Sequence, residues 1–83
     1  MIAEPDIILF RIPFCGKCAA VSKTLREVRA ERPGLFIREL NLATNLLLAK
    51  KHGFFSVPAL LIYGKPITGV VSKKQILRAL EEP

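Results

Sequence analysis

The segment Asp6-Ile7-Ile8-Leu9-Phe10-Arg11-Ile12 constrains this chain more than any other. Apolar residues occupy both parities of the run, Ile8 and Phe10 as well as Ile7 and Leu9. A strand built from it therefore has no face suited to water, and asks for packing layers on both sides. Pro5 and Pro13 bound the run and keep it short. That combination points to an α/β arrangement.

The residues that follow can supply those layers. Cys18, Val21, Leu25 and Val28 recur at spacings of three and four, one stripe of a helix, with Lys23, Arg26, Glu27 and Arg29 mainly outside it. Pro33-Gly34 ends that helix. Residues 35–40 read as a second strand, and polar Arg38 and Glu39 place it toward the sheet edge. Asn41 or Thr44 can cap a second helix through Leu46, Leu47, Leu48, Ala49 and Lys50, which Gly53 stops. Residues 59–63 are a third, apolar strand, followed by a Gly64-Lys65 hairpin turn. Pro66-Ile67-Thr68 begins a fourth strand, which Pro66 confines to an edge because it has no N–H to donate. Gly69 breaks that strand. Ser72 and Gln75 then stand at capping-box spacing ahead of Ile76, Leu77 and Leu80, a closing helix to about Glu81. The expected order is β-α-β-α-β-β-α. The first crossover demands a parallel strand pair and the hairpin adds an antiparallel edge, giving a four-stranded mixed sheet with helices on both faces. With 83 residues, the expectation is a single domain over 1–83.

Net charge is +6 and the isoelectric point about 9.8. The cations are scattered, with no long block and few aromatics among them, so a solvated surface biased toward acidic partners is expected rather than a nucleic-acid site. The N-terminal residues are acidic and lack the basic start and apolar stretch of a signal peptide. The longest apolar runs fall far short of the roughly 18–20 residues that span a bilayer. A cytoplasmic protein without membrane contact is expected.

Both cysteines of the chain stand in Phe14-Cys15-Gly16-Lys17-Cys18, two residues apart. Such a pair can staple a fold, bind metal or exchange disulfides. A staple over so short a loop contributes little, because stabilisation grows with the loop closed. A structural zinc site needs four ligands, and only His52 is available to join the two thiols; a helix C-terminal position explains His52 without a metal. Two thiolates alone can still hold a soft ion such as copper(I), so a metal-binding or metal-delivery module is the competing class. The strand-to-helix position favours thiol chemistry. Unpaired N–H groups and partial positive charge at a helix N-terminus stabilise a thiolate and lower its pKa, which makes Cys15 the candidate nucleophile. Cys18 lies one turn on, in the apolar stripe, and is expected to be the buried, resolving thiol. Lys17 between them either favours the thiolate and attracts acidic substrates or is a solvated loop lysine. Gly16 permits a tight entry and leaves room for a partner backbone.

Ser56-Val57-Pro58 precedes the third strand. The cysteine pair behind a first strand, Val57-Pro58 before a later one, Gly69 beyond the hairpin and the stretch LLLAKKHGFFSVPALLIYGK together resemble the thioredoxin superfamily over residues 6–82. The resemblance implies a thioredoxin-like fold and reduction of protein disulfides without a bound cofactor or metal. It implies a cis Val57-Pro58 bond beside the cysteine pair, with the Val57 backbone free to pair with an extended substrate. Phe14, Gly16, Lys17 and Gly69 would complete the substrate-binding surface of a monomer. In length the chain is similar to glutaredoxins and the small glutaredoxin-like thioredoxins, while LAKKHGFFSVPALLIYGK looks more like thioredoxin. Gly69-Val70-Val71-Ser72 lacks the Gly-Gly and acid with which glutaredoxins hold glutathione. Electrons are therefore expected from a thioredoxin-reductase-like flavoenzyme, with a glutathione-linked glutaredoxin as the alternative.

Overall fold

The structure is a computed structural model that describes residues 4–54 and 56–81. Residues 1–3, on which part of the N-terminal reading rests, lie outside the described residues. The chain runs β1 (Ile7–Arg11), α1 (Gly16–Glu31), β2 (Ile37–Asn41), a 3-10 turn (Leu42–Thr44), α2 (Leu46–Lys51), β3 (Ala59–Ile62), β4 (Lys65–Thr68) and α3 (Lys73–Glu81). The strands form one mixed sheet in the order β2-β1-β3-β4. β1 pairs parallel to β2, from Ile7 opposite Ile37 to Arg11 opposite Asn41. It pairs antiparallel to β3, with Phe10 opposite Ala59, and β3 in turn pairs antiparallel to β4, with Ala59 opposite Thr68.

The two parities of β1 go to two cores, as its sequence requires. Ile7 and Leu9 pack with Leu60 and Ile62 beneath Val21, Leu25 and Val28 of α1 and Ile76 and Leu80 of α3. Phe10 packs with Ala59 and Leu61 against Ala49 and Phe54 on the other face, its ring centroid 5.6 Å from that of Phe54. Burial of each such side chain contributes roughly 1.5–3 kcal/mol, so both layers depend on β1 and on its neighbour β3, whose residues also divide between the two cores. Helices thus flank both faces, α1 and α3 on one and α2 on the other. Among the described residues no helix is long and apolar enough to cross a membrane.

Several local expectations hold in detail. Ser72 and Gln75 close a reciprocal box: the Ser72 N–H donates to Gln75 Oε1 at 2.8 Å and the Gln75 N–H to Ser72 Oγ at 3.2 Å. β4, with Pro66, lies at one edge and β2, with Arg38 and Glu39, at the other.

Three expectations shift. The second strand begins at Ile37 rather than residue 35, because Asp6 takes the approach: its carboxylate accepts the Phe36 N–H at 2.9 Å and its own N–H donates to the Phe36 carbonyl at 2.8 Å. The hairpin turns one residue early, at Tyr63-Gly64, with φ of 50° and 81°. Ile62 faces Lys65, and the type I′ turn, one of the two that follow the strand twist, needs positive φ at both central residues. Asn41 caps the 3-10 turn rather than α2, accepting the Ala43 N–H at 2.8 Å, and Thr44 donates its hydroxyl back to the Asn41 carbonyl. α2 starts after Asn45, which makes no side-chain cap bond.

Candidate dithiol site

The register places three connections at one end of the sheet. β1 ends beside the start of β3, and the start of β3 lies beside the end of β4. The segment leading to Cys15, the Val57-Pro58 pair and Gly69 therefore emerge together. An antiparallel ladder brings the end of one strand beside the start of the next, whatever their distance in sequence.

Cys15 is the N-cap residue of α1, with extended backbone (φ −107°, ψ 109°). Its Sγ accepts the Cys18 backbone N–H at 3.1 Å, filling the role a cap oxygen usually plays. The Cys15 carbonyl accepts the Ala19 N–H at 3.0 Å, the first turn of the helix. Cys15 and Cys18 are joined as a disulfide, their Cα atoms 5.2 Å apart. Cys15 is partly exposed whereas Cys18 is fully buried. No acidic residue stands in the first turn to oppose a thiolate. Lys17 is exposed and forms no ion pair among the described residues.

Gly16 departs from expectation. It has ordinary negative φ, and a Cβ there would meet no atom within 4 Å. Entry into the helix does not require glycine; its effect is to leave the surface beside Cys15 bare. The unusual backbone belongs to Phe14, with φ of 60° and a side chain wholly exposed at 107%. A left-handed conformation costs a non-glycine residue about 1–2 kcal/mol, and an exposed aromatic gains nothing from the fold.

Val57-Pro58 is a cis peptide. Pro58 is buried, and its carbonyl accepts the Gly69 N–H at 3.0 Å, which ties the segment before β3 to the end of β4. Gly69 adopts φ of 86° to make this bond. The Val57 amide and carbonyl have no partner in the chain among the described residues.

One cluster at this end is invisible in the sequence spacing. Ser22, buried to 3% exposure and one turn beyond Cys18, donates its hydroxyl to both carboxylate oxygens of Glu39 at 3.1 Å. Glu39 Oε1 also accepts from Arg11 Nη1 at 2.8 Å. The three residues come from α1, β2 and β1 and lie on the face that α1 covers. A groove of about 310 Å³ opens beside them, lined by Arg11, Ile12, Pro13, Glu39, Leu40 and Asn41. Among the described residues no three His, Cys, Asp or Glu side chains converge as a metal cage, and His52 closes α2 as its C-cap.

No family model and no curated protein matches the sequence. Solved structures do match, 148 chains in all, so the architecture is a recurrent one. One is described as the structure of a malarial protein; it is 16% identical to this chain, the match covers 92% of each, and the TM-score is 0.78. At that identity the likeness establishes the shared architecture alone, and function has to be argued from the site.

Proposed function

We propose that the chain is a small thiol–disulfide oxidoreductase with a thioredoxin-like fold, and that it reduces protein disulfides through Cys15 and Cys18. The observation that carries this reading is the inequality of the two sulfurs: Cys15 caps the helix and reaches solvent, and Cys18 is sealed beneath it. In the reduced protein the Cys15 thiolate attacks one sulfur of a substrate disulfide. A Cys15–substrate bond forms, and the other substrate sulfur leaves as a thiolate and takes up a proton. The deprotonated Cys18 sulfur then attacks Cys15. The Cys15–Cys18 bond forms, and the second substrate sulfur leaves with the electron pair of the mixed disulfide. The substrate gains two electrons and the dithiol becomes the disulfide.

The cis Val57-Pro58 segment and Gly69 emerge at the same end, and the Val57 amide and carbonyl, without a partner among the described residues, suit pairing with an extended substrate. Phe14, Gly16 and Lys17 would flank it. A thioredoxin-reductase-like flavoenzyme is the proposed electron donor, because the residues after Gly69 lack the glycine and acid expected for glutathione.

A Cys18→Ser protein should accumulate mixed disulfides with substrate proteins through Cys15, released by dithiothreitol. Trapping through Cys18 in a Cys15→Ser protein instead would reverse the assignment, and trapping by neither would remove the activity. Offering the oxidised protein NADPH with thioredoxin reductase, or glutathione with glutathione reductase, identifies the donor.

A further inference from the structure

The two edges of the sheet differ. β4 carries Pro66, which has no N–H to offer an added strand. β2 has no proline, and its register against β1 is unbroken from Ile37 to Asn41. The Ile7 N–H donates to the Phe36 carbonyl, so Phe36 and every second residue after it turn toward β1. The N–H and carbonyl groups of Ile37 and Glu39 therefore point outward, and they have no partner among the described residues.

The free charge along this edge has one sign. Ser22 is tied to Glu39, and α1 runs back against the direction of β2. The four helix residues from Ser22 to Arg26 rise about 6 Å, and the two strand residues from Glu39 to Ile37 span about 6.6 Å. Arg26 therefore stands beside Ile37, and Arg29 lies one turn beyond it. Both line a cleft of about 80 Å³ with Leu25, Ile37 and Glu39. Arg38 lies on the opposite face of the strand. All three arginines are exposed, and none is ion-paired among the described residues. The nearby carboxylates are engaged, Glu39 by Arg11 and Ser22 and Asp6 by the Phe36 N–H. The acids of α1 lie on its other side, where Lys73 of α3 pairs with Glu31 and feels the charge of Glu27.

We infer that the outer edge of β2 binds an extended acidic segment of a partner protein as an added strand. Its backbone pairs with Ile37 and Glu39. Its carboxylates on the helix side meet Arg26 and Arg29, and those on the other side meet Arg38. Charge on an edge deters strands that cannot answer it, and cations of one sign leave the edge open to an anionic one. A second copy of this chain does not fit. In a two-fold antiparallel pair, setting Ile37 against Glu39 puts Arg38 opposite Arg38, and centring on Glu39 puts Glu39 opposite Glu39. A nucleic acid could meet the arginines, but it has no row of amides and carbonyls for Ile37 and Glu39. Nothing in this docking requires the dithiol exchange proposed above.

The probe is a cysteine-free, dye-labelled peptide of alternating glutamate and valine, long enough to span β2. Binding is followed by fluorescence anisotropy at low ionic strength, and added salt should weaken it. The glutamates of this peptide share one face, which the two helix arginines favour. Arg26→Gln and Arg29→Gln should each weaken binding by about two- to fivefold, the size of one exposed ion pair, and Arg38→Gln should weaken it less. The same peptide with its amides N-methylated keeps every charge and loses the ladder donors, so it should bind about tenfold or more weakly. In the complex with the unmodified peptide, hydrogen exchange should slow at the Ile37 and Glu39 amides. The arginines are exposed, so the variants should fold, which circular dichroism checks. Equal binding by the N-methylated peptide or by an oligonucleotide of matched charge would reduce the edge to a charged surface and overturn the inference. Equal losses from all three arginines, protection of other amides instead, or no binding would also overturn it. Protection of Ile37 and Glu39 that grows with protein concentration alone would assign the edge to a second copy, and that too overturns it.

Discussion

The Cys15 sulfur accepts the backbone N–H of Cys18, the residue to which it is also bonded. On reduction the covalent link is lost but the cap position remains. A hydrogen bond to an ionised acceptor is about twice as strong as one to a neutral acceptor, so the cap favours thiolate over thiol. In the reduced protein Cys15 should therefore react with iodoacetamide well below the pH at which a free thiol does, about 8.5. Buried Cys18 should lag by roughly tenfold or more. Mass mapping after brief alkylation near neutral pH checks the order, and equal labelling of both would count against the asymmetry on which the mechanism rests.

The redox potential follows from the same cap together with Lys17. Where thioredoxins carry proline between the cysteines, this chain has an exposed lysine. A cation beside the thiolate and a less constrained loop both favour the reduced form. The potential should lie above the roughly −270 mV of thioredoxin, toward about −200 to −230 mV. Lys17→Gln should lower it, by no more than roughly 20 mV because an exposed charge contributes about 1 kcal/mol or less. Equilibration against glutathione buffers measures both, and a native value at or below thioredoxin's would refute the expectation.

Gly69 joins the cis-proline segment to the end of β4 through its N–H and does so at φ of 86°. A Cβ there would meet no atom, so any cost of Gly69→Ala is conformational. That cost should be about 1–2 kcal/mol in denaturant unfolding. If the bond to Pro58 also sets the height of the Val57 backbone, disulfide reduction should fall further than stability alone explains at temperatures where the variant is fully folded. Unchanged stability would mean that the segment relaxes freely.

The sheet was legible because its signals are local. An apolar run on both parities, a stripe at three-four spacing and a Ser-x-x-Gln box each lie within one element, and each appears where expected. The dithiol position was legible for the same reason. What was not legible depends on partners far apart in the chain. Ser22 reads as a polar interruption of the α1 stripe, and only folding brings it to Glu39, 17 residues away, and Glu39 to Arg11, 28 residues away. Asp6 draws in Phe36 across 30 residues and so delays β2. Phe14 gave no backbone signal either, since nothing in its side chain prefers positive φ.

Phe14 combines two costs at one position, a left-handed backbone and a bare aromatic ring, immediately before Cys15. The fold gains nothing from either, and strain of this kind tends to sit where it serves binding. Placed on a protein substrate, a phenyl ring buries enough apolar surface for roughly 1.5–3 kcal/mol, or about 10- to 100-fold in kcat/KM. Phe14→Ala should lose that factor against insulin, chiefly through KM, and react normally with a small aromatic disulfide that reaches only the sulfur. Phe14→Gly should show the same loss of recognition with no loss of stability, since glycine accepts the backbone that phenylalanine resists. If Phe14→Ala slows both disulfides equally, the ring acts on the cysteines rather than on the substrate, and its place in the binding surface falls.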